Sequence, residues 1–113
     1  MMNVEYGRSF KRQLKRLARR YRRIKSDLEP ILEALNAGET PGDQMTGHGY
    51  TLYKVRAANS DSQRGKSGGY RVVYYLKTDT RCVLVTVYSK SEQEDIAPDA
   101  LDRLMNEVLQ EME

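Results

Sequence analysis

The chain has 113 residues, with 19 Lys and Arg against 16 Asp and Glu and a formal net charge of +3 at pH 7. This length allows one domain with a modest core, so we expect a single domain over residues 1–113. The single cysteine, Cys82, and the single histidine, His48, exclude a disulfide framework and a cysteine–histidine metal cluster within one chain. We therefore expect no metal or other cofactor, and the absence of a long apolar run predicts a cytoplasmic protein without a membrane partner.

The first third of the sequence predicts a short strand and two helices. Residues 3–6 favour a strand, and apolar side chains then recur at three- and four-residue steps over residues 10–24, which indicates an amphipathic helix. A second helix is predicted to begin at residues 26–29, which have capping-box spacing, so that Pro30 lies in its first turn. Residues 39–49 are rich in glycine and are predicted to be a loop.

The remaining sequence predicts a small sheet and a last helix. Residues 50–90 indicate three antiparallel strands, because valine, tyrosine, threonine and leucine dominate the strands while glycine, serine and aspartate dominate the joints. Alternation places Leu52, Lys54 and Arg56 on one side of the first of these strands. An amphipathic helix with an acidic outer face is predicted to begin at Pro98. The order β-α-α-β-β-β-α indicates an α+β fold, with a mainly antiparallel sheet, an N-terminal helix hairpin and a C-terminal helix.

Charge is distributed unevenly along the chain. Residues 8–25 contain ten of the 19 cations and no acid, whereas residues 92–113 contain eight acids and one cation. A basic surface of this density is typical of proteins that bind nucleic acid, because neutralised phosphates release their counterions. A solvated helix face is the alternative that charge alone leaves open.

A second group of cations is expected to converge at one end of the predicted sheet. Its members are Lys54, Arg56, Arg64, Lys66, Arg71 and Lys90. Three cations within residues 64–71 repel one another unless an anion is present, which favours a phosphate contact over a simple turn. Tyr88 ends the last strand, where its phenol can reach a substrate. The acids that follow Tyr88 are interpreted as solvated side chains where the chain leaves the strand, or Glu92 as the partner of an active-site cation. Cys82 is interpreted as a packing residue.

Three segments together resemble bacterial RelE/HigB-type toxins of type II toxin–antitoxin systems, most closely the HigB branch. They are LYKVR at residues 52–56, GKSGGYRVVYY at residues 65–75 and VYSKSEQEDI at residues 87–96. The resemblance implies a RelE-like fold and a small ribonuclease that enters the ribosomal A site, cleaves translated mRNA and is restrained by a HigA-like or RelB-like antitoxin. It assigns functional positions to Lys54, Arg56, Arg64, Lys66, Arg71, Tyr88, Lys90 and Glu92. Residues such as Ser91, Gln93 and Asp95 stand where RelE has a further arginine and a late tyrosine.

The chemistry that fits these residues is metal-independent attack of a ribose 2′-OH on the adjacent phosphate. Lys54 or Lys66 is predicted to be the base, because neighbouring cations lower the pKa of a lysine whereas arginine stays protonated. The predicted phosphate clamps are Arg56, Arg64 and Arg71, and the groups near the leaving oxygen are Tyr88 or Lys90. Arg71 is expected at a strand edge and not in the core.

The cations of the first helix are expected to contact phosphates of ribosomal RNA without sequence preference. The residues predicted for this role are Lys15, Arg16, Arg19 and Arg22. Two other functions stay open. A ParE-like toxin inhibits gyrase with a similar fold but lacks a basic nuclease centre, and a non-catalytic nucleic-acid-binding module shares the charge without the cleavage.

Overall fold

A computed structural model describes residues 1–62 and 68–112. The elements in chain order are β1 (Asn3–Tyr6), α1 (Arg8–Arg20), α2 (Ile24–Asn36), β2 (Asp43–Met45), β3 (Leu52–Ala57), β4 (Tyr70–Thr78), β5 (Arg81–Ser89) and α3 (Pro98–Glu111). This arrangement confirms the predicted α+β class, with a helix pair between β1 and the other strands and the last helix after them. Across these two ranges, no helix is long and apolar enough to cross a membrane.

The strands form one sheet in the order β1-β5-β4-β3-β2. The central three, β3, β4 and β5, make the predicted antiparallel meander, and β1 adds in parallel along β5. The fifth strand, β2, lies in the segment predicted to be a loop and pairs antiparallel with β3. Its three residues are too few to show an alternating pattern, which is why the sequence did not reveal it.

The two faces of the sheet bury separate apolar cores. One face packs on α1 and α2, with core residues that include Phe10, Leu17, Leu28, Val55, Val72 and Cys82. The other face packs on α3, with core residues that include Leu52, Val73, Val85, Tyr88, Leu101 and Met105. The alternation predicted for β3 is confirmed, because Leu52 and Val55 lie in different cores. Burial raises the pKa of the Cys82 thiol to about 11, as expected of a packing residue.

The predicted start of the second helix was wrong. Helix α2 begins at Ile24 instead of Ser26, so Pro30 lies in its interior and not in its first turn. Ile24 is fully buried, and its backbone N–H donates to the carbonyl of Tyr21. The Ser26 hydroxyl donates to the carbonyl of Arg23. Burial of Ile24 therefore determines where the helix begins, and the capping-box pattern does not.

Gly42 allows β2 to approach β3. Its φ is 93°, and a Cβ built there would overlap the carbonyl oxygen of Lys54. Gly47 also has a positive φ, of 84°, but a Cβ there would meet nothing within 4 Å. An alanine at either position costs about 1 kcal/mol in backbone strain. Only at Gly42 must the strands also move apart.

We expect Gly42→Ala to lower the free energy of unfolding by about 2–4 kcal/mol, and Gly47→Ala by about 1 kcal/mol. Urea unfolding of the two variants measures the difference. Equal losses would show that β2 does not constrain the position of Lys54.

Candidate active site

Three predicted site residues are aligned across three neighbouring strands. Arg56 of β3 lies directly opposite Arg71 of β4, and Arg71 lies directly opposite Tyr88 of β5. Residues paired in this way have side chains on the same face of a sheet. Lys54 precedes Arg56 by two residues and shares that face. We call Lys54, Arg56, Arg71 and Tyr88 the cross-strand row.

Arg71 is the most buried cation of the cross-strand row. It is 5% exposed, so the expectation that it lies outside the core was wrong. Its Nη1 donates to the carbonyl of Tyr70 over 3.2 Å. Burial and then the charge on Arg56 lower the pKa of Arg71, whereas Tyr88 and Asp95 raise it. Like charges directly opposite each other destabilise a sheet, and an anion between them would relieve that repulsion.

Asp95 joins two members of the cross-strand row. Its Oδ1 accepts hydrogen bonds from Lys54 Nζ (3.2 Å), from the Tyr88 hydroxyl (3.1 Å) and from the backbone N–H of Ile96 (2.8 Å). Burial raises the pKa of Asp95, but the hydrogen bonds from Ile96, Lys54 and Tyr88 outweigh that effect and lower it overall. Burial and then the charge on Asp95 raise the pKa of Tyr88, so the phenol stays protonated at neutral pH.

The sequence had given Asp95 no role beyond a solvated acid. Ile96 is the signal that could have identified it. Ile96 follows seven polar residues and packs against the α3 core, so it brings the chain, and Asp95 with it, back onto the sheet.

Lys90 and Glu92 lie in the same segment but have partners outside the row. Lys90 Nζ donates to the carbonyl and the carboxylate of Glu94, at 3.2 and 3.4 Å. Glu92 contacts α1, where it accepts from Arg16 Nη2 (2.9 Å) and Arg20 Nη1 (3.4 Å). Glu92 is therefore neither a purely solvated acid nor a partner of the cross-strand row. The predicted residues Arg64 and Lys66 lie outside the described residues.

The cations of α1 form two groups. One group repeats every four residues and faces acids from the C-terminal part of the chain. Its pairs are Arg8–Glu111, Arg12–Glu107, Arg16–Glu92 and Arg20–Glu92. The other group is exposed and has no ion pair within the described ranges; it includes Lys15 and Arg19 of α1 and Arg22 of the turn that follows the helix. Of the four residues predicted to contact RNA, Arg16 alone is paired with an acid here.

A cleft of about 410 Å³ opens next to Tyr88, between α1, β5 and α3. Its lining includes Ser9, Arg12, Gln13, Thr86, Tyr88 and Arg103. The lining also includes Glu107, which pairs with Arg12 over 3.9 Å, so the polar groups of the cleft carry both signs of charge. The cleft and the cross-strand row share the Tyr88 side chain.

The family model described as the RelE toxin of the RelE/RelB toxin–antitoxin system matches residues 7–111. The match extends from the residue before α1 to the end of α3, and it includes the whole cross-strand row and Asp95. The finer resemblance to the HigB branch stays a prediction. With this match over nearly its whole length, the chain belongs to the RelE toxin family and is a toxin of a toxin–antitoxin system, whose partner is an antitoxin.

Proposed function

We propose that this toxin is an endoribonuclease that cleaves mRNA in the A site of the translating ribosome, in the cytoplasm. The observation that carries the proposal is the pairing of Arg56 with Arg71 across β3 and β4. Two arginines directly opposite each other on a sheet lose stability through repulsion, and they gain it when a phosphate binds between them. Tyr88 is the next residue in the same line, where it can act on that phosphate.

Each member of the cross-strand row has a role in 2′-OH attack on the adjacent phosphate. The base is Lys54, or Lys66 outside the described residues, and it takes the proton of the 2′-OH. Arg56 and Arg71 stabilise the negative charge on the phosphate oxygens, with Arg64 as a further clamp. Tyr88 donates its proton to the leaving 5′-oxygen. The products are a 2′,3′-cyclic phosphate and a 5′-OH end.

Tyr88 is preferred to Lys90 as the general acid. The Tyr88 hydroxyl lies 3.1 Å from the same carboxylate oxygen as Lys54 Nζ, so acid and base candidates share one small region. Lys90 instead contacts Glu94 within its own segment. A phenol with a raised pKa keeps its proton until charge develops on the leaving oxygen.

Purified protein incubated with ribosomes on a defined mRNA, followed by mapping of new 5′ ends, tests this function. We expect cuts within the A-site codon and far fewer on the same mRNA without ribosomes. A supercoiling assay with gyrase runs in parallel. Inhibited gyrase and intact mRNA would favour the ParE-like alternative, and bound but uncut mRNA would favour a non-catalytic binding module.

The exposed group of Lys15, Arg19 and Arg22 is proposed to dock the toxin on ribosomal RNA. We expect the triple variant Lys15→Gln/Arg19→Gln/Arg22→Gln to bind ribosomes more weakly. The slope of log K against log salt should fall by about 2 to 3, since each lost phosphate contact removes somewhat less than one unit. Sedimentation of toxin with ribosomes over a salt series measures both quantities.

The control is Lys77→Gln, which removes an exposed cation from β4 and should leave the slope unchanged. If the triple variant shows the wild-type salt dependence, the exposed group is a solvated face with no part in docking.

A further inference from the structure

We propose that Asp95 covers the cross-strand row in the free protein and that RNA phosphates bound at Arg16 and Arg20 release it. The acids involved lie in residues 90–96, which form most of the connection between β5 and α3 and which we call the exit segment. Because it assigns a regulation to the proposed active site, it depends on the proposed function of that site.

Asp95 occupies hydrogen-bonding capacity that the proposed reaction needs. The Tyr88 hydroxyl has one proton and donates it to Asp95 Oδ1, so it cannot donate to a leaving oxygen at the same time. Lys54 Nζ donates to the same oxygen, so this hydrogen bond has to break before Lys54 can contact a 2′-OH. A phosphate entering between Lys54 and Tyr88 would also meet the negative charge of Asp95. Asp95 and the RNA phosphate therefore compete for the same donors.

A second acid ties the exit segment to the surface of α1. Glu92 lies three residues before Asp95, and its two carboxylate oxygens accept from Arg16 and Arg20. The side chains of these arginines are 50% and 66% exposed, so phosphates of RNA can reach them from solvent. A phosphate that binds both arginines competes with Glu92 and loosens the segment that carries Asp95.

The contacts that hold the exit segment are weak enough to exchange. Residues 91–95 are exposed, and the Asp95 side chain is 60% exposed even while it contacts Lys54. Ion pairs at such exposed positions each change an equilibrium by no more than about fivefold. Two or three phosphate contacts are comparable in strength, so RNA at α1 can shift the segment between covering and open arrangements. Allosteric couplings of this kind are typically about 5- to 150-fold.

The consequence is a toxin whose active site opens where RNA surrounds it. Docking through α1 and uncovering of the cross-strand row are then the same event, because both remove an acid of the exit segment from a cation. A single short RNA that cannot reach α1 and the row together has to displace Asp95 without that help.

The test is binding of a fluorescein-labelled single strand of 2′-O-methyl RNA, which cannot be cleaved by 2′-OH attack. Fluorescence anisotropy at fixed salt gives its dissociation constant for the full chain. We expect Asp95→Asn to bind about three- to tenfold more tightly than wild type. Asp102→Asn makes the same chemical change at an exposed position of α3 and should bind like wild type. Equal affinity of the Asp95 and Asp102 variants would overturn the inference.

A second experiment tests the contact of Glu92 with α1. Glu92→Gln should also tighten binding, whereas Glu94→Gln, in the same segment but without a contact to α1, should have a smaller effect. In the double variant with Asp95→Asn, Glu92→Gln should change the dissociation constant less than it does in wild type. The reason is that the Asp95 carboxylate, which Glu92 helps to hold over the cross-strand row, is then absent. Fully additive effects of the two substitutions would show that Glu92 and Asp95 act separately and would contradict the coupling.

The same experiments distinguish failure of the Asp95 proposal from failure of the ribonuclease proposal. If Asp95→Asn tightens binding but wild type cuts no mRNA on ribosomes, the proposal that Asp95 covers the cross-strand row is supported and the ribonuclease proposal fails. If wild type cuts mRNA while Asp95→Asn cuts more slowly and binds the RNA no better, the ribonuclease stands. Asp95 is then a positioning residue for Tyr88, and the cover is overturned.

Discussion

Replacing Arg71 by methionine is expected to lower the rate of mRNA cleavage on ribosomes by about 10²–10³-fold, the loss typical of removing one donor that stabilises developing negative charge. Methionine keeps the volume of a side chain that is almost fully buried, so no large cavity forms. It also removes the repulsion between positions 56 and 71, which face each other across β3 and β4. The thermal midpoint of the variant should therefore not fall by more than a few degrees.

Lys77→Met is the matched control for Arg71→Met. Lys77 lies in the same strand, β4, and is exposed. We expect this control to cleave mRNA at the wild-type rate. If Arg71→Met folds normally and also cleaves at the wild-type rate, Arg71 is not a phosphate clamp and the cross-strand row loses its central member.

Tyr88→Phe is the second substitution with a large expected effect. Loss of the hydroxyl should lower cleavage by about 10²–10⁴-fold, the range for general acid–base catalysis. The ring stays in the α3 core, so the loss of stability should be limited to about 1.5–3 kcal/mol for one hydrogen bond to the charged Asp95. Rates of cleavage on programmed ribosomes and urea unfolding measure the two effects.

Two variants decide between Tyr88 and the alternative acid. Tyr75→Phe removes a hydroxyl from a tyrosine that packs against the same α3 core, and it should leave the rate unchanged. Lys90→Gln should cost much less than Tyr88→Phe. If Lys90→Gln abolishes cleavage while Tyr88→Phe retains it, Lys90 supplies the proton.

The pH dependence of wild type should agree with this assignment. The folded-state pKa of Tyr88 is raised, by burial and by Asp95, so the phenol remains protonated as the pH rises above neutral. Ionisation of Tyr88 therefore should not cause a loss of activity around neutral pH. A rate that falls near neutral pH in wild type but not in Tyr88→Phe would contradict the raised pKa.

Alternation along β3 was enough to place Lys54 and Arg56 on one face, because a period of two leaves a strand only two choices once its apolar residues are assigned. Predicting that Arg56 pairs with Arg71 requires the register of the sheet, which depends on the exact lengths of the strands and turns. The family resemblance had already named both arginines, and the structure adds that they are direct neighbours.

Other features depend on contacts that no local pattern encodes. Helix α2 begins at Ile24 and not after Ser26, because burial of the Ile24 side chain contributes more free energy than one N-cap. Asp95 was missed because its role depends on its contact with Lys54, which lies 41 residues earlier in the chain. Predicting which α1 cations pair with acids likewise requires the positions of α3 and of the exit segment.

The most direct measurement of the central claim uses ribosomes programmed with two mRNAs that differ at one atom. One mRNA carries the normal ribose 5′ to the bond cut by wild type, and the other carries a single 2′-deoxyribose there. We expect cleavage of the first with a 2′,3′-cyclic phosphate and a 5′-OH at the new ends, and no cleavage of the second at that bond. Cleavage of both mRNAs at that bond, or new ends that carry a 5′-phosphate, would contradict 2′-OH attack at the cross-strand row.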